Sequence, residues 1–120
     1  MVYPMSEATQ SSTLAVVNVN DDSKLLKVDY LAIKKAAVVL RAINHKLRQQ
    51  ILQLIESNGK MTVTEIYVQL RLEQSVASQH LAILRRAGIV ITTREGKFIW
   101  YSVSKQRLEE ISRFVSDLLN

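Results

Sequence analysis

Apolar residues follow two different periods along the chain. From Lys24 to Gly88 they recur three and four positions apart, which is the spacing of one face of an α-helix. After Gly88 come two β-branched and aromatic runs, residues 89–94 and 97–103, which are typical of a β-hairpin. The helical spacing returns from Ser104. The pattern therefore predicts a mainly α-helical fold with one hairpin.

Boundary signals divide the first helical region. Asn44 is predicted to end one helix and N-cap the next, which Asn58-Gly59 ends. The segment Thr62–Glu65 has the spacing of a capping box and opens a short helix. A further helix is predicted to begin near Gln74 and stop at Gly88. A short helix, a tight turn and a longer helix form a helix-turn-helix, and the hairpin that follows makes it a winged helix.

The charge of the chain is unevenly distributed. Residues 1–22 are rich in Ser, Thr, Gln and Asn and are predicted to be a mostly disordered tail, whereas residues 23–120 are predicted to form the folded domain. All 16 Lys and Arg residues lie within residues 24–120. A basic folded domain favours a polyanionic partner because neutralising phosphates releases condensed counterions. The alternative is a solvated basic surface.

Several function classes lack the residues that they require. The chain has no cysteine, which excludes disulfides, thiolate metal sites and cysteine nucleophiles. It has no apolar run long enough to span a membrane and no signal-peptide pattern, so we expect a cytoplasmic protein. It also has no phosphate-binding loop, dinucleotide fingerprint or zinc-protease motif. We therefore expect that the protein is not an enzyme. A small hydrolase or transferase would need a pocket of titratable groups, and the sequence offers no candidate for one.

The predicted helix-turn-helix and wing carry the candidate DNA-binding residues. The outward positions at the start of the second helix of the helix-turn-helix are Gln74, Ser75, Ser78 and Gln79. Gln amides can bond adenine edges in the major groove, and Ser can bond bases or phosphates. The alternative is that these side chains are ordinary surface residues.

Basic residues provide candidate phosphate contacts. Arg94 and Lys97 flank the predicted turn Glu95-Gly96 at the wing tip, where they suit phosphate oxygens. Lys46 and Arg48 lie at a helix start, where they either contact phosphates or, for Arg48, bridge helices.

Three segments resemble the ArsR/SmtB family of small dimeric bacterial transcriptional repressors. Residues 74–89, QSVASQHLAILRRAGI, are similar to the family's recognition-helix pattern of Ser-x-His-Leu, Leu-Arg and Ala-Gly-Ile. Residues 95–101, EGKFIWY, resemble its Gly-Lys-aromatic wing. Residues 45–52 resemble the start of its second helix, where the family commonly has Pro in place of Lys46. The resemblance covers about residues 44–104.

The resemblance implies a winged-helix homodimer on a pseudo-palindromic double-stranded DNA operator, joined through the first and last helices. The apolar surplus on residues 31–43 and 108–119 agrees with this arrangement. The predicted interface residues are Leu31, Ala37, Leu40, Leu108, Ile111, Val115 and Leu118. The alternative is that both helices pack only within their own domain.

The chain departs from the family's metal-sensing patterns. The strip Thr64–Val68 has no cysteine, and Lys105–Asn120 has carboxylates but no histidine. We therefore expect no metal site and no cofactor, and we expect the carboxylates of the last helix to form a solvated face. His80 is expected to pack or hydrogen-bond within the recognition helix, and His45 to be a surface or capping residue.

A second function class stays open. The winged helix can instead be a protein-protein interaction module, in which the recognition helix and wing contact another protein. A neutral or acidic recognition face would favour that function, and Glu73 is the one residue that points towards it. The motifs specify neither an effector nor an operator sequence.

Overall fold

Five helices and two antiparallel hairpins make up the part of the chain that the computed structural model describes, residues 14–18 and 25–120. In chain order the elements are β1 (Leu14–Asn18), β2 (Leu25–Asp29), α1 (Tyr30–Ile43), α2 (Lys46–Asn58), α3 (Val63–Leu70), α4 (Gln74–Arg86), β3 (Val90–Glu95), β4 (Phe98–Val103) and α5 (Lys105–Leu119). The described residues divide into two compact units, with the boundary between Val39 and Leu40.

The first unit contains a hairpin that the sequence pattern does not predict. β1 pairs antiparallel with β2, from Leu14 opposite Asp29 to Asn18 opposite Leu25. The predicted helix from Lys24 is therefore wrong over residues 25–29, and residues 14–18 of the predicted tail form a strand. The helix starts later because the Asp29 carboxylate accepts the Ala32 amide at 3.1 Å, as an N-cap does. The rest of the predicted tail lies outside the described residues.

The core of the second unit lies between the helix-turn-helix and the wing. Its fully buried large side chains come from α2, α3, α4, the start of β3 and the short segments before α3 and β3. They are Ile51, Ile55, Met61, Ile66, Leu81, Leu84, Ile89 and Val90. Met61 also extends the wing, because its backbone exchanges two hydrogen bonds with Tyr101, at 3.0 and 2.7 Å. These contacts fix the wing against the helices.

The predicted capping box is confirmed at the start of α3. The Thr62 hydroxyl accepts the Glu65 amide at 3.3 Å, and the Glu65 carboxylate accepts the Thr62 amide at 2.9 Å. α3 ends at Arg71, whose left-handed backbone (φ 56°) turns the chain towards α4. The helix-turn-helix predicted from the spacing is therefore present.

Two predicted boundaries are wrong by one residue. The N-cap of α2 is His45 rather than Asn44, because the Asn44 amide still bonds the Leu40 carbonyl at 2.9 Å and continues the α1 ladder. The wing turn is Gly96-Lys97 rather than Glu95-Gly96. Glu95 pairs with Phe98 in the ladder, and Gly96 takes the left-handed backbone (φ 63°) that the turn needs.

α5 closes the second unit without burying any of its residues. The helix begins directly after Ser104, close to the predicted start, and the Ser104 hydroxyl caps it by accepting the Arg107 amide at 3.2 Å. The Arg107 guanidinium donates to the Ala87 carbonyl at 3.0 Å, which ties α5 to the end of α4.

Candidate nucleic-acid interface

α4 has one buried and one exposed face. Ala77, Leu81 and Leu84 are buried against the core. The four side chains predicted to face outward are all exposed: Gln74, Ser75, Ser78 and Gln79. The helix therefore presents amide and hydroxyl groups together near its N-terminal end, the end with which a recognition helix contacts bases.

The wing tip presents basic side chains to solvent. Arg94 and Lys97 are both exposed, and Arg94 Nε donates to the Gly96 carbonyl at 3.2 Å. The acid of the tip, Glu95, is paired with Lys60 at 2.8 Å. Lys60 Nζ also lies 4.8 Å from the centre of the Trp100 ring. Because Glu95 is neutralised by a neighbour, the tip keeps a positive character.

A cleft of about 420 Å³ separates α4 from the wing. It is lined by Ser78, Leu81, Ala82, Arg85, Arg86 and Tyr101. Arg85 and Arg86 are exposed, so the cleft combines two guanidinium groups with the hydroxyl of Ser78. These arginines are not among the residues predicted to bind DNA, although their seven- and eight-residue spacing from Ser78 places them on the same side of the helix.

Arg48 is not available at the surface. Its side chain is buried, with 9% of the residue exposed. Nε donates to the Ala42 carbonyl at 2.7 Å and a terminal nitrogen donates to the Arg41 carbonyl at 3.2 Å. The other terminal nitrogen lies 3.1 Å from His80 Nδ1. Of the two roles predicted for Arg48, this geometry fits the bridge between helices. Because the side chain is buried, we do not propose Arg48 as a phosphate contact. Lys46, two residues earlier on α2, is exposed.

Arg48 therefore marks a junction of α1, α2 and α4. His80, half-buried on α4, is the residue of α4 that contacts Arg48 there. The centre of its ring lies 4.9 Å from that of His45. Burial lowers the pKa of His80 below its ordinary value of 6.5, and the nearby His45 and Arg48 lower the pKa further. The hydrogen bond of His80 is therefore made to Arg48 on α2, not within the recognition helix as predicted. His45 is exposed at the N-cap of α2 and makes no side-chain capping bond.

The predicted interface residues differ in exposure. Leu31, Ala37, Leu40, Leu108, Ile111 and Val115 are half-buried, whereas Leu118 is 67% exposed. Two further apolar side chains of α5 are open to solvent, Phe114 at 46% and Leu119 at 78%. Beside α5, an open groove of about 720 Å³ runs along α2 and includes Leu52 and Leu108 in its lining. α5 therefore has apolar surface that its own unit leaves uncovered.

The described ranges, 14–18 and 25–120, contain neither a group of metal ligands nor a membrane-spanning helix. Within them, no three His, Cys, Asp or Glu residues are grouped as metal ligands would be. None of the helices there combines the length and the hydropathy of a membrane span. The α5 carboxylate of Glu110 is paired with Arg107 at 3.3 Å.

Comparison with known proteins gives consistent matches. The profile of bacterial regulatory proteins of the arsR family matches residues 45–92. An uncharacterized HTH-type transcriptional regulator from Methanocaldococcus jannaschii is 38% identical over 71% of this chain and 96% of its own length. The transcriptional activator HlyU of Vibrio cholerae is 40% identical over 62% of this chain and 68% of its own. The crystal structure of the transcriptional repressor PagR of Bacillus anthracis superposes with a TM-score of 0.58 at 29% identity, covering 72% of this chain and 99% of that one.

Proposed function

Because the chain belongs to the arsR family of bacterial regulatory proteins, we propose that it is a homodimeric repressor whose α4 helix reads an operator in the major groove. The chain is a DNA-binding transcriptional regulator with a winged helix-turn-helix. The exposed polar end of α4 is the observation that carries the proposed mode of binding. A repressor of this kind acts on chromosomal DNA, which places it in the cytoplasm.

Base recognition is assigned to the polar end of α4. Gln74 and Gln79 each offer an amide that can accept from and donate to one adenine edge, whereas Ser75 and Ser78 bond either a base or a phosphate. Within the described residues, none of these four side chains makes a hydrogen bond, so none has to be broken when DNA binds. A bidentate amide contact contributes about 1–3 kcal/mol of discrimination against the wrong base.

Affinity is assigned to exposed basic groups on α4 and on the wing. Arg94 and Lys97 lie at the wing tip, whereas Arg85 and Arg86 lie in the last turn of α4, beside the cleft that Ser78 also lines. Such groups bind phosphate oxygens and set the register of the protein on the duplex. Lys46 is assigned a further phosphate contact.

Dimerisation is assigned to α1 and α5. Phe114, Leu118 and Leu119 are 46%, 67% and 78% exposed. Complete burial of such a side chain contributes about 1.5–3 kcal/mol relative to complete exposure, and a dimer interface would recover part of this. A dimer that binds two half-sites one turn of duplex DNA apart holds its two α4 helices about 34 Å apart. The operator would then be pseudo-palindromic.

The test is a selection of duplexes from a random library, followed by titration of the selected duplex at two salt concentrations. We expect a two-fold symmetric consensus and a steep fall in affinity with salt. Light scattering on the free protein should give twice the chain mass of 13.6 kDa. A folded protein that selects no duplex at low salt contradicts the assignment, and a stable monomer contradicts the dimer.

A winged helix that binds another protein is the second candidate, and the charge of the recognition face disfavours it. Glu73 is exposed at the N-cap of α4, but Arg85 and Arg86 line the cleft beside Ser78, and Arg94 and Lys97 are exposed on the wing. If the second candidate were correct, the selection would yield no consensus and replacing Arg86 or Lys97 by Ala would leave duplex binding unchanged.

A further inference from the structure

Three segments of the second unit meet at the Arg48 guanidinium. The last turn of α1 supplies the Arg41 and Ala42 carbonyls, the first turns of α2 supply Arg48 itself, and α4 supplies His80. The three polar contacts are 2.7 to 3.2 Å long, and the side chain is buried. A polar contact at His80 therefore joins the recognition helix to the guanidinium that holds α1 and α2 together.

This contact requires a particular protonation state. A guanidinium group has only donors, so the Nδ1 atom of His80 has to be the acceptor. His80 must then carry its proton on Nε2 and be neutral. A second proton on Nδ1 would point at a guanidinium N–H group, and the hydrogen bond would be replaced by repulsion between two cations.

The surroundings of His80 contain no group that would compensate for this proton. From α2 and its cap, Arg48 and His45 face the ring, and both lower its pKa. From α1, the Arg41 and Ala42 carbonyls are already taken by the guanidinium. In the described residues, no carboxylate pairs with the ring. Protonation therefore has to be accommodated by moving His80 away from Arg48.

His80 follows directly after Gln79 and lies two residues beyond Ser78, both on the exposed end of α4. We propose that Arg48 and His80 are a positioning pair for DNA binding, which holds α4 in place while His80 is neutral and releases it when His80 is protonated. This inference rests on the proposed DNA-binding function. The pair would make acidification a signal that lowers operator affinity.

The expected sign is opposite to the usual effect of acid on DNA binding. A histidine that only lies near phosphates gains a positive charge at low pH and strengthens binding. Here the proton breaks the contact that positions the reading helix, so acid should weaken binding. The direction of the pH effect therefore separates a positioning role from simple electrostatics.

The experiment compares wild type with His80→Asn on the duplex selected at about pH 7.5, at constant ionic strength, down to about pH 5.5. Asn places an acceptor oxygen close to the former Nδ1 position and does not titrate in this range. Each protein is compared with its own affinity at the higher pH, and we expect the loss on acidification to be about threefold or more larger in wild type, since one linked proton allows at most tenfold per pH unit. Equal pH profiles, or a wild type that gains affinity relative to the variant, overturn the proposal.

Two further variants give readouts that a purely structural role would not move. His45→Asn removes the other imidazole but keeps the Arg48–His80 pair, so acid should still lower the affinity for the duplex. Because His45 lowers the pKa of His80, its removal should shift this loss of affinity to higher pH. Arg48→Lys keeps the positive charge but not the guanidinium group, whose three nitrogens reach three partners. We expect the variant to bind the selected duplex more weakly at every pH. If Arg48→Lys does not fold, the His80→Asn comparison still decides.

Nuclear magnetic resonance of the free protein separates this inference from the function on which it rests. The 15N chemical shifts of the His80 ring should show a neutral imidazole with its proton on Nε2 at about pH 7.5. A ring protonated on Nδ1 at that pH overturns the pair while leaving DNA binding intact. A wild type that binds no duplex at either pH overturns both.

Discussion

Arg48 and Arg94 are the same residue type in very different surroundings. Arg48 is buried and directs its three donor positions at two backbone carbonyls and His80. Arg94 is exposed at the wing, where a single bond to the Gly96 carbonyl leaves the remaining donors free for another partner. The first arginine holds elements together and the second is available for phosphates. Positive charge counted along the sequence therefore overstates the charge that can meet DNA.

The largest contrast should appear in stability. Arg48→Ala removes three hydrogen bonds and leaves the Ala42 carbonyl buried without its donor, so the free energy of unfolding should fall by about 2–4 kcal/mol. Arg94→Ala, the matched control, should change it by less than about 0.5 kcal/mol. Urea unfolding followed by circular dichroism measures both. Equal effects of the two substitutions would remove the distinction between the buried and the exposed arginine.

The reading end of α4 should show the next largest effect, in specificity rather than stability. Gln79→Ala should lose about 1–3 kcal/mol of discrimination at the adenine that the amide contacts. The measurement compares the selected duplex with single-base variants of it. Gln106→Ala, an exposed glutamine on α5, is the control and should leave discrimination unchanged. If both variants discriminate like wild type, Gln79 is only a surface residue.

The helices of the second unit and the hairpin could be predicted because their signals are local. The Thr62–Glu65 box, the glycines after α2 and α4 and the change of period after Gly88 each involve residues close in sequence. The hairpin of β1 and β2 could not be predicted in this way. Its strands are five residues long, and short apolar runs do not distinguish a strand from a helix. The start of α1 had a usable signal in Asp29, whose carboxylate caps the helix.

The candidate site shows the same division between local and long-range information. The exposure of Gln74, Ser75, Ser78 and Gln79 follows from the period of α4, and the sequence predicts it. The burial of Arg48 depends on the end of α1 and on His80, which is 32 residues away. No pattern around Arg48 contains that contact. The cleft arginines, Arg85 and Arg86, were open to prediction from their position relative to Ser78.

The wing should contribute affinity without specificity. Lys97→Ala removes one phosphate contact, so all duplexes should bind more weakly and the slope of log affinity against log salt should become shallower by about 0.9. Lys105→Ala, an exposed lysine at the start of α5 that lies 3.7 Å from Glu56, is the charge-matched control and should keep the wild-type slope. A loss confined to the selected duplex would instead assign Lys97 to base recognition.

The smallest effect is expected in the dependence of stability on pH. The pKa of His80 is lowered in the folded protein by burial, by His45 and by Arg48, whereas in the unfolded chain it stays near 6.5. The unfolded state therefore binds the proton first as pH falls. The contribution of the neutral ring is complete above pH 6.5 and is lost as pH falls from there through the lower pKa of the folded state.

His80→Asn should abolish this component, so that wild type loses more stability than the variant between about pH 7.5 and pH 5.5. Urea unfolding at several pH values measures the difference, and Arg94→Ala should retain the wild-type slope because its side chain has no part in the junction. A variant with the slope of wild type would mean that His80 titrates alike in the folded and unfolded states. The buried arginine would then hold the recognition helix without making its position depend on a proton.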